Sequence, residues 1–78
     1  MAETVLQKPF LLLIEDEPTQ RHLLHSQLEQ QGFQVISAAD GHEGLNIWRQ
    51  KGNIRIVLTD LALPGMDGVE VVQAIRAS

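Results

Sequence analysis

The sequence predicts an open α/β fold in which three parallel strands alternate with three helices. Three apolar runs of strand length are separated by segments with helical patterns, and short polar connections join them. Parallel strands joined through helices need right-handed crossovers. Acidic residues directly follow the first and third runs, which indicates a site at the carboxyl edge of the sheet.

The first strand and the first helix have the clearest sequence signals. Residues Phe10 to Ile14 form a continuous apolar run, typical of a strand buried on both faces of a parallel sheet. Pro18 can begin a helix, because the N–H that proline lacks is not needed in the first turn. The helix is predicted to continue through residues 19–31, and Gly32 is placed to end it.

The second unit has a looser pattern. Residues 33–38 alternate as a half-buried strand does, and Asp40 with the glycine after it indicates a turn. Leu45 and Trp48 lie three positions apart on the helix that follows. We expect Trp48 to pack that helix against the sheet.

The third unit ends in the most distinctive residues. Residues 54–58 are a branched apolar run that leads into Thr59 and Asp60. Asp67 and Glu70 have the spacing of a capping box, which predicts the start of a third helix. The apolar face of that helix consists of Val71, Val72 and Ile75.

Length and composition exclude several classes of function. With 78 residues, 44% of them hydrophobic, the chain can hold one small globular domain, which we place at residues 10–78 after a leader at residues 1–9. The absence of cysteine excludes disulfides and thiolate metal sites and is typical of cytoplasmic proteins. A net charge of −4 argues against nucleic-acid binding, and no apolar run is long enough to cross a membrane.

The acidic residues at the strand ends predict a metal site. If the strand order is 2-1-3, strands one and three are neighbours, and Asp16 and Asp60 converge with Glu15 close by. Clustered carboxylates repel one another, and Mg²⁺, which prefers oxygen ligands, removes that repulsion. An aspartate beside such an ion can act as a nucleophile toward phosphorus. The alternative is that the acids are solvent-exposed loop residues, and we favour this alternative for Glu17 alone.

Three motifs in this order resemble the receiver domain of two-component response regulators. Residues 11–18, LLLIEDEP, resemble the acidic-pair motif of that family, and residues 39–45, ADGHEGL, resemble the start of its second helix. Residues 60–68, DLALPGMDG, resemble its phosphoacceptor loop. The resemblance covers the chain from about residue 10 to its end. It implies a flavodoxin-like parallel sheet with strand order 2-1-3 and helices on both faces.

The resemblance also implies a role for individual residues. Asp60 would accept a phosphoryl group from a sensor histidine kinase or a phosphotransfer protein. Asp16 would be a direct Mg²⁺ ligand, Glu15 would act on the ion through water, and the backbone carbonyl of Ala62 would be the third protein ligand. Glu15 stands where the family often has Asp. No enzymatic activity is implied beyond self-phosphorylation and dephosphorylation.

The chain matches only part of the family's pattern. That fold has five βα units, and this sequence supplies three. The fourth and fifth strands, which carry a Ser or Thr and a Lys that contact the phosphoryl group, have no counterpart here, and Lys51 lies at the end of the second helix instead. The third strand would then be an edge that exposes unpaired N–H and C=O groups beside Ile56, Val57 and Leu58. We therefore expect a longer polypeptide, self-association or a partner protein to cover this edge.

Two further functions compete with a phosphoacceptor switch. A truncated receiver can act as a non-phosphorylated interaction or dimerisation module through its open edge. A phosphatase with an aspartate nucleophile would need a second Asp two positions later, and that position is Ala62. His22 and His25 are three apart on the first helix without a third ligand, so we expect both to be solvated surface residues rather than metal ligands.

Overall fold

The computed structural model describes residues 9–60, 63 and 65–77, and within them strands and helices alternate. The elements are β1 (Phe10–Ile14), α1 (Pro18–Gln30), β2 (Gln34–Ala38), α2 (Gly41–Gln50), β3 (Ile54–Thr59) and α3 (Gly68–Ala77). The predicted order of elements is confirmed. Except for Pro9, the predicted leader lies outside the described residues.

The three strands form one parallel sheet in the order β2-β1-β3, as the sequence predicts. The last residue of the central strand, Ile14, is level with Ala38 of β2 and with Thr59 of β3. Just beyond these strand ends, the N–H of Glu15 donates to the carbonyl of Ala38 at 3.0 Å. The N–H of Asp60 donates to the carbonyl of Ile14 at 3.4 Å. The register therefore brings the residues after β1 and β3 to the same edge of the sheet.

The central strand β1 supplies most of the buried side chains. Leu12 and Ile14 point to the face covered by α2 and α3, where they pack in a cluster of buried residues completed by Ala38, Leu45, Leu63 and Val71. Leu11 and Leu13 point to the opposite face, which α1 contacts, and they are buried as well. The continuous apolar run thus reflects a strand that is covered on both faces. Trp48 packs against the cluster, as predicted.

Each helix begins with a side-chain cap. The carboxylate of Glu17 accepts the N–H of Gln20 at the start of α1, and Pro18 occupies the first turn. At α3 the predicted capping box is confirmed, because the N–H of Glu70 donates to Asp67 at 2.9 Å and the N–H of Asp67 donates to Glu70 at 3.1 Å. In α2, which begins at Gly41, the N-terminal cap is Asp40.

The environment of His25 differs from the sequence-based expectation. Its Nδ1 hydrogen-bonds to Oγ of Ser37 on β2 at 2.6 Å, and its Nε2 lies 3.2 Å from Oε2 of Glu29. His25 is therefore a partly buried link between α1 and the sheet, and its assignment as a solvated surface residue was wrong. His22, one turn earlier, is exposed as expected.

Strand β3 lies at an edge of the described sheet. Ile56 and Leu58 are 40% and 43% exposed, and Arg55 is exposed too. The apolar run from Ile54 therefore forms a strand that is covered less completely than β1. None of the helices in the described part of the chain has the length and apolar content that a bilayer crossing requires.

Candidate metal centre

Three carboxylates meet at the carboxyl edge of the sheet. Glu15 and Asp16 directly follow β1, and Asp60 directly follows β3. One oxygen from each residue lies within 4.8 Å of the corresponding oxygen of the other two. Within residues 9–60, 63 and 65–77, no other three His, Asp or Glu residues form such a group. The structure thus brings together Asp16 and Asp60, which the sequence placed at neighbouring strand ends.

The three acids differ in their exposure and contacts. Glu15 is partly buried, and its Oε2 accepts the N–H of Glu17 at 3.1 Å, which fixes the direction of its side chain. Asp16 and Asp60 are exposed, so an ion or another molecule can approach them from solvent. The hydroxyl of Thr59 donates to the backbone carbonyl of Asp60 at 3.1 Å.

The spacing of the oxygens fits a hard divalent cation. Mg²⁺ has octahedral geometry with bonds of about 2.1 Å, so its ligand oxygens are roughly 3 Å apart when adjacent and about 4.2 Å apart when opposite. A cluster with oxygens up to 4.8 Å apart suits two direct carboxylate ligands and a third that acts through water. Mg²⁺ usually keeps several waters in protein sites. Ala62, whose carbonyl the resemblance makes a further ligand, lies outside the described residues.

Arg21 holds the backbone of the two acids that follow β1. Its guanidinium Nη1 donates to the carbonyl oxygen of Glu15 at 2.8 Å and to the carbonyl oxygen of Asp16 at 3.4 Å. Sequence analysis did not identify this residue. A signal was present: helical side chains lean toward the N-terminus, so an arginine in the first turn after an acidic loop can reach back to that loop.

The acidic loop, residues 15–17, also contains a residue whose structural role was not predicted from the sequence. Glu17 is exposed as expected, but its carboxylate caps α1 by accepting the N–H of Gln20 at 2.7 Å. Its carbonyl accepts the backbone N–H of Arg21 at 2.8 Å. Glu17 therefore connects the acidic loop to the helix and does not belong to the carboxylate cluster.

The far end of the loop after Asp60 is packed against α2. Leu63 is buried, and Gly65 has a φ of 80°, a conformation that glycine adopts without strain. A Cβ added to Gly41 would lie 3.0 Å from the carbonyl oxygen of Met66 and 2.9 Å from Cγ2 of Val71. A glycine at the start of α2 thus lets the helix approach this loop closely.

Comparisons with known proteins agree with this arrangement. The sequence model of the response regulator receiver domain family matches residues 11–78. The transcriptional regulatory protein AfsQ1 of Streptomyces coelicolor is 47% identical over 68 residues, which are 87% of this chain and 30% of that protein. The response regulator TrrA from Thermotoga maritima, solved in complex with Mg²⁺–BeF, is similar with a TM-score of 0.83 and 35% identity over 88% of this chain and 59% of that one.

A third similarity concerns a complex. A co-crystal structure of a Saccharomyces cerevisiae histidine phosphotransfer signaling protein with the receiver domain of its downstream response regulator matches with a TM-score of 0.81 and 31% identity. The match covers 95% of this chain and 50% of that one. In all three comparisons the chain spans less than two thirds of the protein that it matches. Because the family model matches residues 11–78 and solved receiver domains have the same fold, the chain belongs to the response regulator receiver domain family.

Proposed function

We propose that this chain is a phosphoacceptor switch in which Asp60 receives a phosphoryl group with the help of Mg²⁺. The observation that carries the proposal is the cluster of Glu15, Asp16 and Asp60, whose oxygens lie within 4.8 Å of one another. This cluster stands at the carboxyl ends of parallel strands, where ligands bind in open α/β sheets. Because Asp60 is also exposed, its carboxylate is accessible to a donor.

Mg²⁺ would be held by Asp16 and Asp60 directly, by Glu15 through water, and by the carbonyl of Ala62. When bound, it neutralises negative charge on the carboxylates and on phosphoryl oxygens, so that the two can approach. The similar Thermotoga protein was solved in complex with Mg²⁺–BeF, which supports this choice of ion. The three carboxylates also supply the oxygen ligands that Mg²⁺ prefers.

In the proposed signalling reaction, the donor is a phosphohistidine. A carboxylate oxygen of Asp60 attacks phosphorus, an O–P bond forms, and the N–P bond of the donor breaks. The electron pair of that bond returns to the imidazole, which takes a proton from solvent. Attack of water on the resulting acyl phosphate then restores the carboxylate and releases inorganic phosphate. The chain would have no other enzymatic activity.

The donor would be a sensor histidine kinase or a histidine phosphotransfer protein in the cytoplasm. The similar yeast receiver domain was crystallised with a histidine phosphotransfer protein, which supports a partner of this kind. The net charge of −4 argues against direct nucleic-acid contact by this segment. The chain would therefore act through protein partners.

A second candidate function rests on the edge strand. Ile56 and Leu58 of β3 are 40% and 43% exposed, although both are large apolar residues. An exposed apolar edge can add a strand from another chain. In this alternative the chain is a non-phosphorylated interaction or dimerisation module, and its acids serve no phosphoryl chemistry.

Mass spectrometry of the intact chain distinguishes the two functions. The chain is incubated with Mg²⁺ and a small acyl phosphate donor, and the same is done with Asp60→Asn. Asp67→Asn is the matched control, because it removes an exposed carboxylate nearby while asparagine still caps a helix. The phosphoacceptor function predicts a phosphate-sized mass gain in the wild type and in Asp67→Asn and none in Asp60→Asn. No gain in the wild type, or a gain that persists in Asp60→Asn, contradicts it.

A further inference from the structure

Arg21 contacts the acidic loop at the two residues that supply most of the carboxylate cluster. Its Nη1 lies 2.8 Å from the carbonyl oxygen of Glu15 in a partly buried hydrogen bond, and 3.4 Å from the carbonyl oxygen of Asp16. Arg21 itself is partly buried. A single cationic group therefore spans the consecutive peptide units from which Glu15 and Asp16 project.

Among the described residues, the other side-chain contacts of this loop involve N–H groups rather than those two carbonyls. The carboxylate of Glu15 accepts the N–H of Glu17, and the carboxylate of Glu17 accepts the N–H of Gln20. Both contacts fix N–H groups further along the chain. The guanidinium of Arg21 instead fixes carbonyl oxygens, and the orientation of a carbonyl determines the plane of the peptide that carries the next residue.

Two effects of the guanidinium on a nearby cation oppose each other. Its positive charge repels Mg²⁺, but both groups lie near the surface, where water and salt weaken the repulsion. Its hydrogen bonds restrict the loop to one conformation before the ion arrives, so less conformational entropy is lost on binding. The charge-assisted bond at 2.8 Å to a partly buried carbonyl favours the second effect.

We infer that Arg21 is a positioning residue for the cation site, whose guanidinium holds the Glu15 and Asp16 carbonyls so that the carboxylates face Asp60. The inference rests on the proposed function, because it concerns the same Mg²⁺ site. Arg21 touches neither the ion nor the phosphoryl group and acts through the backbone of the residues that do. Groups that orient metal ligands in this way typically change metal affinity by 10–100-fold when removed.

The wild type and two variants of Arg21 distinguish an effect of loop positioning on Mg²⁺ binding from an effect of the arginine's charge. Arg21→Lys keeps the charge but loses the branched guanidinium, and Arg21→Met loses both the charge and the donors. Mg²⁺ affinity is measured by isothermal titration calorimetry. Positioning predicts the tightest binding in the wild type, weaker binding in Arg21→Lys, and binding roughly tenfold weaker in Arg21→Met. Equal or tighter binding in Arg21→Met shows that charge repulsion dominates and overturns the inference.

Matched controls exclude an effect of net charge or of general instability. Arg49 lies in the last turn of α2, at the opposite edge of the sheet, so Arg49→Met makes the same change away from the cluster and should leave Mg²⁺ affinity unchanged. Thermal unfolding is recorded for every variant, and affinity is measured where each is folded. If Arg21→Met does not fold, Arg21→Lys decides the question. A purely structural role lowers the unfolding temperature of either variant without weakening Mg²⁺ binding, which contradicts the inference.

The same titration distinguishes failure of the Arg21 inference from failure of the proposed phosphoacceptor function. If the wild type binds Mg²⁺ and the variants of Arg21 bind it equally well, only the positioning role is overturned. If the wild type does not bind Mg²⁺ at all, the proposed phosphoacceptor function fails, and the role of Arg21 fails with it. Amide NMR shifts on Mg²⁺ addition at residues 15, 16 and 60 identify the bound site in the wild type.

Discussion

At the scale of single residues, Gly44 is a point of close approach between α2 and the central strand. A Cβ added to Gly44 would lie 2.8 Å from Cγ1 of Ile14, whose side chain is 1% exposed and has little room to move. The small residue therefore lets the helix pack directly on β1 beside the acidic loop. Close packing of this kind makes even one added methyl group costly.

Gly44→Ala should accordingly destabilise the chain. Overpacking of a filled core typically costs about 1–3 kcal/mol. Alanine recovers about 1 kcal/mol through its higher helix propensity, so the expected net loss is up to about 2 kcal/mol. Urea denaturation measures the difference. Gly52→Ala is the control, because no atom lies within 4 Å of a Cβ added there. Equal stability of Gly44→Ala and the wild type would show that α2 is not held against Ile14 as described.

Single residues also show which features of the site could be predicted from the sequence and which could not. The meeting of Asp16 and Asp60 was predictable, because it follows from strand order and from the position of each acid at a strand end. The bond from Arg21 to the Glu15 carbonyl was not predicted, since it depends on the angle at which α1 leaves the loop. Patterns along the chain identify which residues share an edge, but not the backbone atoms that a long side chain reaches.

At the scale of elements, local signals were sufficient to place the helices. The start of α1 at Pro18 and the capping box at Asp67 and Glu70 were predicted because each depends on a few adjacent residues. The link between His25 of α1 and Ser37 of β2 was missed, because it joins residues of different elements and depends on how the helix packs on the sheet. Contacts between elements are the part of this fold that could not be predicted from its sequence.

The pair formed by His25 and Ser37 should couple α1 to the sheet energetically. A double-mutant cycle with His25→Ala and Ser37→Ala isolates the interaction, and we expect a coupling of about 0.5–1.5 kcal/mol, the range for one net hydrogen bond. Chemical denaturation supplies the four free energies of unfolding. His22→Ala, an exposed residue on the same helix, should change stability by less than about 0.5 kcal/mol. Additive effects of the two substitutions would count against the link.

At the scale of the whole molecule, the central strand β1 and the edge strand β3 are covered to different extents. Among the described residues β1 is covered on both faces, whereas β3 pairs with β1 alone and exposes Ile56 and Leu58. The sequence predicted this exposed edge, because three strands in the order 2-1-3 leave β3 at one side. The exposure of the Ile56 and Leu58 side chains was less predictable, since a branched apolar run resembles a fully covered strand.

The exposed edge predicts that this chain associates with itself as its concentration rises. Leu58→Lys places a charge on the edge and should shift the chain toward monomer, because charged residues oppose strand pairing between molecules. Gel filtration with light scattering measures the mass. Leu23→Lys is the control, since Leu23 is 52% exposed but lies on α1. A wild-type chain that stays monomeric at high concentration would show that the β3 edge does not drive association.

The phosphoacceptor function depends on one site where Glu15, Asp16 and Asp60 share an ion. Crystals grown with Mn²⁺ in place of Mg²⁺ allow the ion to be located by its anomalous scattering. The predicted result is one anomalous peak at the carboxyl edge of the sheet, about 2.1 Å from a carboxylate oxygen of Asp16 and from one of Asp60. A fully loaded crystal with no peak there, or with these two side chains turned away from each other, would contradict the account.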